Sequence, residues 1–164
     1  MNSIRLLVVL CGSALVSLGL LAQGTSQASS QAVGEGLFIL SFSESNLGNA
    51  PKPQSEVINM IANTPSTLAF TVDIVLADGS KLHESWQGAP DGVLRPLKNA
   101  RGGEQDSLRR VGDDLVADNV LDDGTKLHEE VRFSKDGNTM TIAKVVHSAK
   151  GDSPMITAVF HKGR

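Results

Sequence analysis

Leu68-Ala-Phe-Thr-Val-Asp-Ile-Val-Leu-Ala-Asp-Gly-Ser-Lys-Leu-His-Glu-Ser-Trp-Gln-Gly88 is the stretch that decides the fold. Leu68, Phe70, Val72, Ile74 and Leu76 fall on alternate positions, the period of a strand with one buried face. Ala77-Asp78-Gly79 follows as a turn signal, and Leu82, Glu84 and Trp86 then alternate in their turn. A three-residue loop at 77–79 pairs Leu76 with Ser80. It sets Ile74 opposite Leu82, Val72 opposite Glu84 and Phe70 opposite Trp86. A two-residue loop would put Lys81 and His83 among apolar side chains. A slip of one residue flips every side chain, so the first register is the expected one. Gly79 then occupies the left-handed bulge position.

The same pattern repeats outward along the chain. Asp122-Asp123-Gly124 and Lys135-Asp136-Gly137 are further turn signals between alternating or β-branched runs. Strands are expected near 37–42, 55–62, 67–76, 80–87, 93–97, 106–111, 114–121, 125–133, 138–147 and 154–162. No long segment has a 3.6-residue apolar period. Sequential hairpins without crossovers give an all-β, antiparallel up-and-down meander of about eight to ten strands, closed or partly open as a barrel. At the third hairpin, a two-residue Asp136-Gly137 turn pairs Phe133 with Met140, Val131 with Ile142 and Leu127 with Val146. It also places Glu129 opposite Lys144, which neutralises a charge on an apolar face. Leu76-Ala-Asp-Gly-Ser-Lys-Leu-His-Glu84 is echoed by Leu121-Asp-Asp-Gly-Thr-Lys-Leu-His-Glu129. Two similar hairpins follow, each leaving a glutamate on its apolar face.

The chain has 164 residues and a formal charge of −3, with 40% hydrophobic residues. That suits one globular domain. The mild acidic balance argues against a nucleic-acid binder, which carries a basic stripe. Residues 1–28 have the layout of a secretory signal peptide: Arg5, a mostly apolar run from Leu6 to Ala22, then Ser26-Gln27-Ala28 with small residues where signal peptidase prefers them. Residues 29–35 are expected to be a flexible N-terminus and 36–164 the barrel domain. Cleavage after Ala28 removes Cys11, the one cysteine in the sequence, and leaves no membrane span. The mature domain would then have no disulfide and no thiol chemistry, and would be secreted or periplasmic.

Several stretches together resemble a group of secreted bacterial lipocalin-like, calycin-type β-barrel proteins of unknown function. Gly36-Leu-Phe-Ile-Leu-Ser-Phe-Ser-Glu-Ser45 is similar to the group's opening strand, and Pro51-Lys-Pro53 to the link after it. Ala77-Asp78-Gly79, Asp91-Gly92 with Pro96, and Asp106-Ser-Leu-Arg-Arg110 follow in the group's order. Ser134-Lys-Asp-Gly-Asn-Thr-Met-Thr141 is the nearest match, and Val159-Phe-His-Lys162 resembles the closing strand. Phe38 stands where the group tends to have Trp. The resemblance implies a lipocalin-like barrel and carries no catalytic residues.

Candidate chemistry is confined to a few side chains. Glu84 and Glu129 sit on an apolar face, where an acid must be paired or neutralised. Phe70 and Trp86 face each other across a hairpin, as core or as cavity floor. Arg95, Lys98, Arg101, Arg109 and Arg110 can receive an anion at the barrel mouth or stand as solvated loop charge. The tentative ligand-binding set is therefore Phe70, Glu84, Trp86, Arg109 and Glu129. His83 and His128 are expected to point outward, beside Lys81 and Lys126. His147 and His161 lie toward opposite ends of the last hairpin and are not expected to meet, and the four histidines form no metal-ligand spacing. No Gly-x-Ser-x-Gly elbow or phosphate loop is present, and no cofactor is implied. The expected function is an exported, non-catalytic binding protein for a small apolar or amphipathic molecule in the bacterial envelope. The alternative is an interaction module with a filled core and no ligand; a protein partner is not identified.

Overall fold

The computed structural model describes residues 34–49, 51–99 and 102–164. The expected signal segment lies outside these residues, as does Arg101. Eleven strands follow one another: β1 (Gly36–Leu40), β2 (Ser55–Asn63), β3 (Leu68–Val75), β4 (Lys81–Gly88), β5 (Arg95–Asn99), β6 (Gly102–Val111), β7 (Asp114–Leu121), β8 (Lys126–Phe133), β9 (Thr139–Ser148), β10 (Gly151–Asp152) and β11 (Ile156–Lys162). All pairings are antiparallel, in one sheet ordered β4-β3-β2-β1-β11-β9-β8-β7-β6-β5, with β10 folded back on β9. The first and last long strands pair, Phe38 with Lys162 and Leu40 with Phe160. The meander is therefore continuous through its chain ends. Its two ends are β4 and β5, which make no backbone pairing with each other among the described residues. The barrel is a curled, partly open one.

The expected register holds at both informative hairpins. Phe70 pairs with Trp86, Val72 with Glu84 and Ile74 with Leu82. Phe133 pairs with Met140, Val131 with Ile142, Glu129 with Lys144 and Leu127 with Val146. The echoed hairpins are copies in geometry as well as sequence. Leu76 N–H donates to the Ser80 carbonyl at 2.8 Å, and Leu121 N–H to the Thr125 carbonyl at 2.9 Å. Gly79 and Gly124 take φ of +84° and +79°, a region costly for any residue with a Cβ. Asp78 and Asp123 each accept the N–H two residues on, at 2.9 Å.

Three expectations need correction. The turn after β8 is a four-residue loop, 135–138, not a two-residue one. Gly137 N–H closes a turn on the Ser134 carbonyl at 2.8 Å, and Ser134 N–H reaches the Thr139 carbonyl at 2.9 Å. Adding one residue to each side of a loop leaves the strand register unchanged, which is why the pairing was still read correctly. Second, β6 begins at Gly102, four residues before the strand expected near 106–111. Lys98↔Gly103 and Asn99↔Gly102 extend it as a ribbon with β5, so tertiary pairing overrides weak strand propensity. Third, the strand count is eleven; β10 is the short extra one, and its two residues carry no periodic signal.

The core lines the concave face. Phe38, Leu68, Val72 and Phe160 are fully enclosed, with Ile58, Ile74, Leu115, Leu127 and Met140 nearly so. Phe38 meets Phe133 edge-on, ring centroids 5.9 Å apart.

Candidate functional site

The inner face is apolar with one polar band. On β2, Glu56 is in phase with Ile58 and Met60, and all three are buried. Glu56 pairs with Ile74, which pairs with Leu82; the next row is Ile58, Val72 and Glu84. From the other half of the sheet come Ala117, Glu129 and Lys144, successive partners across β7, β8 and β9. Glu129 is 2% exposed, and its carboxylate is bridged by the Lys144 ammonium. Curling brings the two halves together: Lys144, Glu129 and Glu84 all act electrostatically on Glu56. The band thus sets Glu84 and the Glu129–Lys144 pair within electrostatic reach of Glu56.

Glu56 is the distinctive member. It is 8% exposed, and among the described residues none donates a hydrogen bond to it. Burial pushes its carboxyl up to about 7; Lys144 opposes this, and Glu129 and Glu84 reinforce it. The folded protein therefore holds this proton more tightly than the unfolded chain, whose value is 4.5. The associated stability is complete below 4.5 and lost as pH rises through about 7. Glu56→Gln removes the ionisable group with little change of shape. It should raise stability at about pH 8 by up to about 3 kcal/mol, at 1.36 kcal/mol per pKa unit, and change little near pH 5. Urea unfolding at the two pH values checks this; equal effects at both would show that the charge carries no penalty.

Of the expected binding set, four members face inward. Trp86 stacks on Phe70 at 5.9 Å with planes 12° apart. Its indole N–H donates to Asp106 Oδ2 at 3.1 Å, linking β4 to β6 where the sheet's ends approach. Glu84 and Glu129 belong to the acidic band. Arg109 does not join them: it lies on the outer face, and its guanidinium is paired with Asp118 at 2.6 Å. Strand alternation is the reason. Leu108 pairs with Ala117 and Arg110 with Leu115, both inward positions, so Arg109 between them points out. Arg110 is the inward arginine. It donates to Asn63 Oδ1 at 2.5 Å and to the Thr64 carbonyl at 3.0 Å, tying β6 to the β2–β3 turn across the interior. Arg95 is held by Asp91. Of the basic stretch, Arg95, Arg109 and Arg110 thus each have a separate partner.

The histidines lie outside, each against a carboxylate. His83 pairs with Asp73 at 2.7 Å and His128 with Asp118 at 2.6 Å, another pair of equivalent contacts in the echoed hairpins. His147 meets Asp152, and His161 meets Glu44, so those two histidines stay apart. Burial would raise Asp118, but hydrogen bonds from His128 and Arg109 hold it below the usual carboxylate value. Among the described residues no three His, Cys, Asp or Glu are grouped to hold a metal, and no helix is long and apolar enough to cross a membrane. A half-open depression of about 350 Å³ at the β7–β8 end is lined by residues that include Asn119, Leu127, His128 and His147. It does not reach Glu56, Glu84 or Glu129.

Glu56 was missed at the sequence level, although its phase with Ile58 and Met60 was visible. Asp106 and Asn119, register partners and both buried, were also legible only as alternation.

No family model matches the sequence, and no curated protein does. Solved structures do match in fold. The chain is similar to a mutant of the fluorescent protein UnaG, at 12% identity and a TM-score of 0.58, over 79% of this chain and 96% of that one. It is similar to a secretory abundant heat soluble protein from Ramazzottius varieornatus, at 8% identity and a TM-score of 0.57, over 82% and 98%. It is also similar to a fatty acid transporter, REP1-NXSQ, at 11% identity and a TM-score of 0.51, over 79% and 96%. At these identities the likeness is one of architecture alone, an antiparallel meander curled into a barrel.

Proposed function

We propose that the chain is an exported, non-catalytic binding protein for a small apolar or amphipathic molecule, acting in a bacterial envelope. The observation that carries the reading is the inner face. An apolar surface continues across β1 to β4, β6 to β9 and β11, interrupted by Glu56, a carboxylate only 8% exposed whose charged form burial disfavours. Keeping an ionisable group there costs a purely structural core stability. A site that orients an amphipathic ligand needs one. The fold adds support by analogy, because one matched barrel is a fatty acid transporter. Export rests on the first 28 residues as a sequence signal.

A neutral apolar fluorophore such as Nile red, titrated with the full chain, should gain emission with saturable one-to-one binding. The gain should be lost on unfolding in urea. Absence of saturable binding by Nile red and by extracted envelope lipids would defeat the reading.

A second reading has its own support. The Glu129–Lys144 pair and the Phe70–Trp86 stack, tied to Asp106, fill part of the interior as a packed core would. On that reading the chain is an interaction module that works through its outer face, and Nile red finds no saturable site.

A further inference from the structure

The outer face of β7 to β9 carries a second candidate site. We infer that the half-open depression there binds a small organic anion with a flat apolar body, of the aryl carboxylate class, with Lys126 as its charge partner. The site lies apart from the barrel interior and stands whether or not the interior takes a ligand.

Strand phase fixes the place. Val120 pairs with Lys126 and Asp118 with His128, out of phase with the buried Asn119 and Leu127, so these four side chains point outward. His147 pairs with Lys126 from the other side. All of them line one depression of about 350 Å³, a size that suits a small molecule. The charges decide the ligand class. Asp118 is matched on both oxygens, by Arg109 at Oδ2 and His128 at Oδ1, each at 2.6 Å. Asp152 faces His147 Nδ1 at 2.8 Å. Glu130, next along from His128 on the outer face, is held by Arg132 at 2.6 Å. Lys126 is exposed, and among the described residues it has no acid partner. Its ammonium is the charge left to receive an anion, with three N–H donors. Val120 and the two imidazole rings give flat, largely apolar walls for the rest of the molecule.

The echoed hairpin supplies a comparison within the same chain. Val75 pairs with Lys81 and Asp73 with His83, the same four residue types in the same register. Two basic side chains are missing there. Asp73 has Val57 beside it on β2 and no arginine, and β4 ends the sheet, so no strand stands where β9 brings His147. Asp73 and His83 are 62% and 64% exposed, where Asp118 and His128 are 42% and 35%. Arg109 from β6 thus takes up a carboxylate that in the first hairpin is left beside the lysine and the histidine. His147 from β9 adds the third wall.

The test titrates naphthalene-2-carboxylate into the full chain and follows the imidazole C–H signals of the four histidines by proton NMR, assigned with single histidine variants. The His128 and His147 signals should shift together and saturably, while those of His83 and His161 should not. Naphthalene-2-methanol, the neutral analogue, should bind about threefold or more weakly, the range of one exposed ion pair. Lys126→Gln should weaken the carboxylate by about threefold and leave the alcohol unchanged. Lys81→Gln makes the same change of net charge in the other hairpin and should alter neither. Equal shifts at His83 and His147 overturn the inference. So does an alcohol that binds as well as the carboxylate, equal weakening by the two lysine variants, or no saturable shift at all. Nile red emission from the same samples reports on the interior, so failure of this site and failure of the binding reading are told apart.

Discussion

Replacing Lys144 with methionine should destabilise the fold by about 3–5 kcal/mol, the cost of stranding a buried carboxylate without its partner. Glu129 is 2% exposed and faces the interior, so it cannot turn to solvent when the ammonium goes. Its repulsion of Glu56 also loses its counterweight, because Lys144 offsets both. Glu129→Leu combined with Lys144→Met should recover most of the loss, since an apolar pair of similar volume replaces a buried ion pair at little net cost. Urea unfolding of the two variants and the double variant measures the coupling. A loss under about 1 kcal/mol for Lys144→Met would show that Glu129 is solvated after all.

Phe38→Ala should cost about 3–5 kcal/mol, the range for truncating a large buried aromatic. Phe38 is fully enclosed and meets Phe133 edge-on at 5.9 Å. Its strand is also the join of the whole sheet. β1 pairs with β2 on one side and β11 on the other, so it carries the only link between the two halves of the backbone ladder among the described residues. A cavity there weakens the closure as well as the packing. Leu37→Ala, one residue away, should cost under about 1 kcal/mol, because that side chain is 42% exposed on the outer face. Thermal unfolding of both variants compares the two positions directly. Similar losses would mean that β1 does not alternate as described.

Much of this was readable residue by residue. The pairing of Phe70 with Trp86 and of Glu129 with Lys144 followed from two local quantities, the alternation of side chains and the length of a turn. Even where the turn was misjudged, at 135–138, the pairing survived, because the loop grew equally on both sides. Arg109 was misplaced for a related reason. Its charge and its place near other cations outweighed its phase, although the neighbouring Leu108 marks the inward positions of β6. Glu56 was passed over because a single acid in a strand is commonplace until its surroundings are known.

Local periodicity alone determined the all-β class, the order of the hairpins and the side of the sheet on which most residues lie. These are decided within a few residues, where a shift of one position moves every apolar side chain to the wrong face. Tertiary structure alone decided where the meander breaks, between β4 and β5, and which charges meet inside it. Glu56 and Glu129 belong to different hairpins and come together only when the sheet curls. Whether a buried acid is paired, and so what it can recognise, depends on groups brought in from distant parts of the chain, because solvation and Coulomb interactions act through space rather than along the sequence.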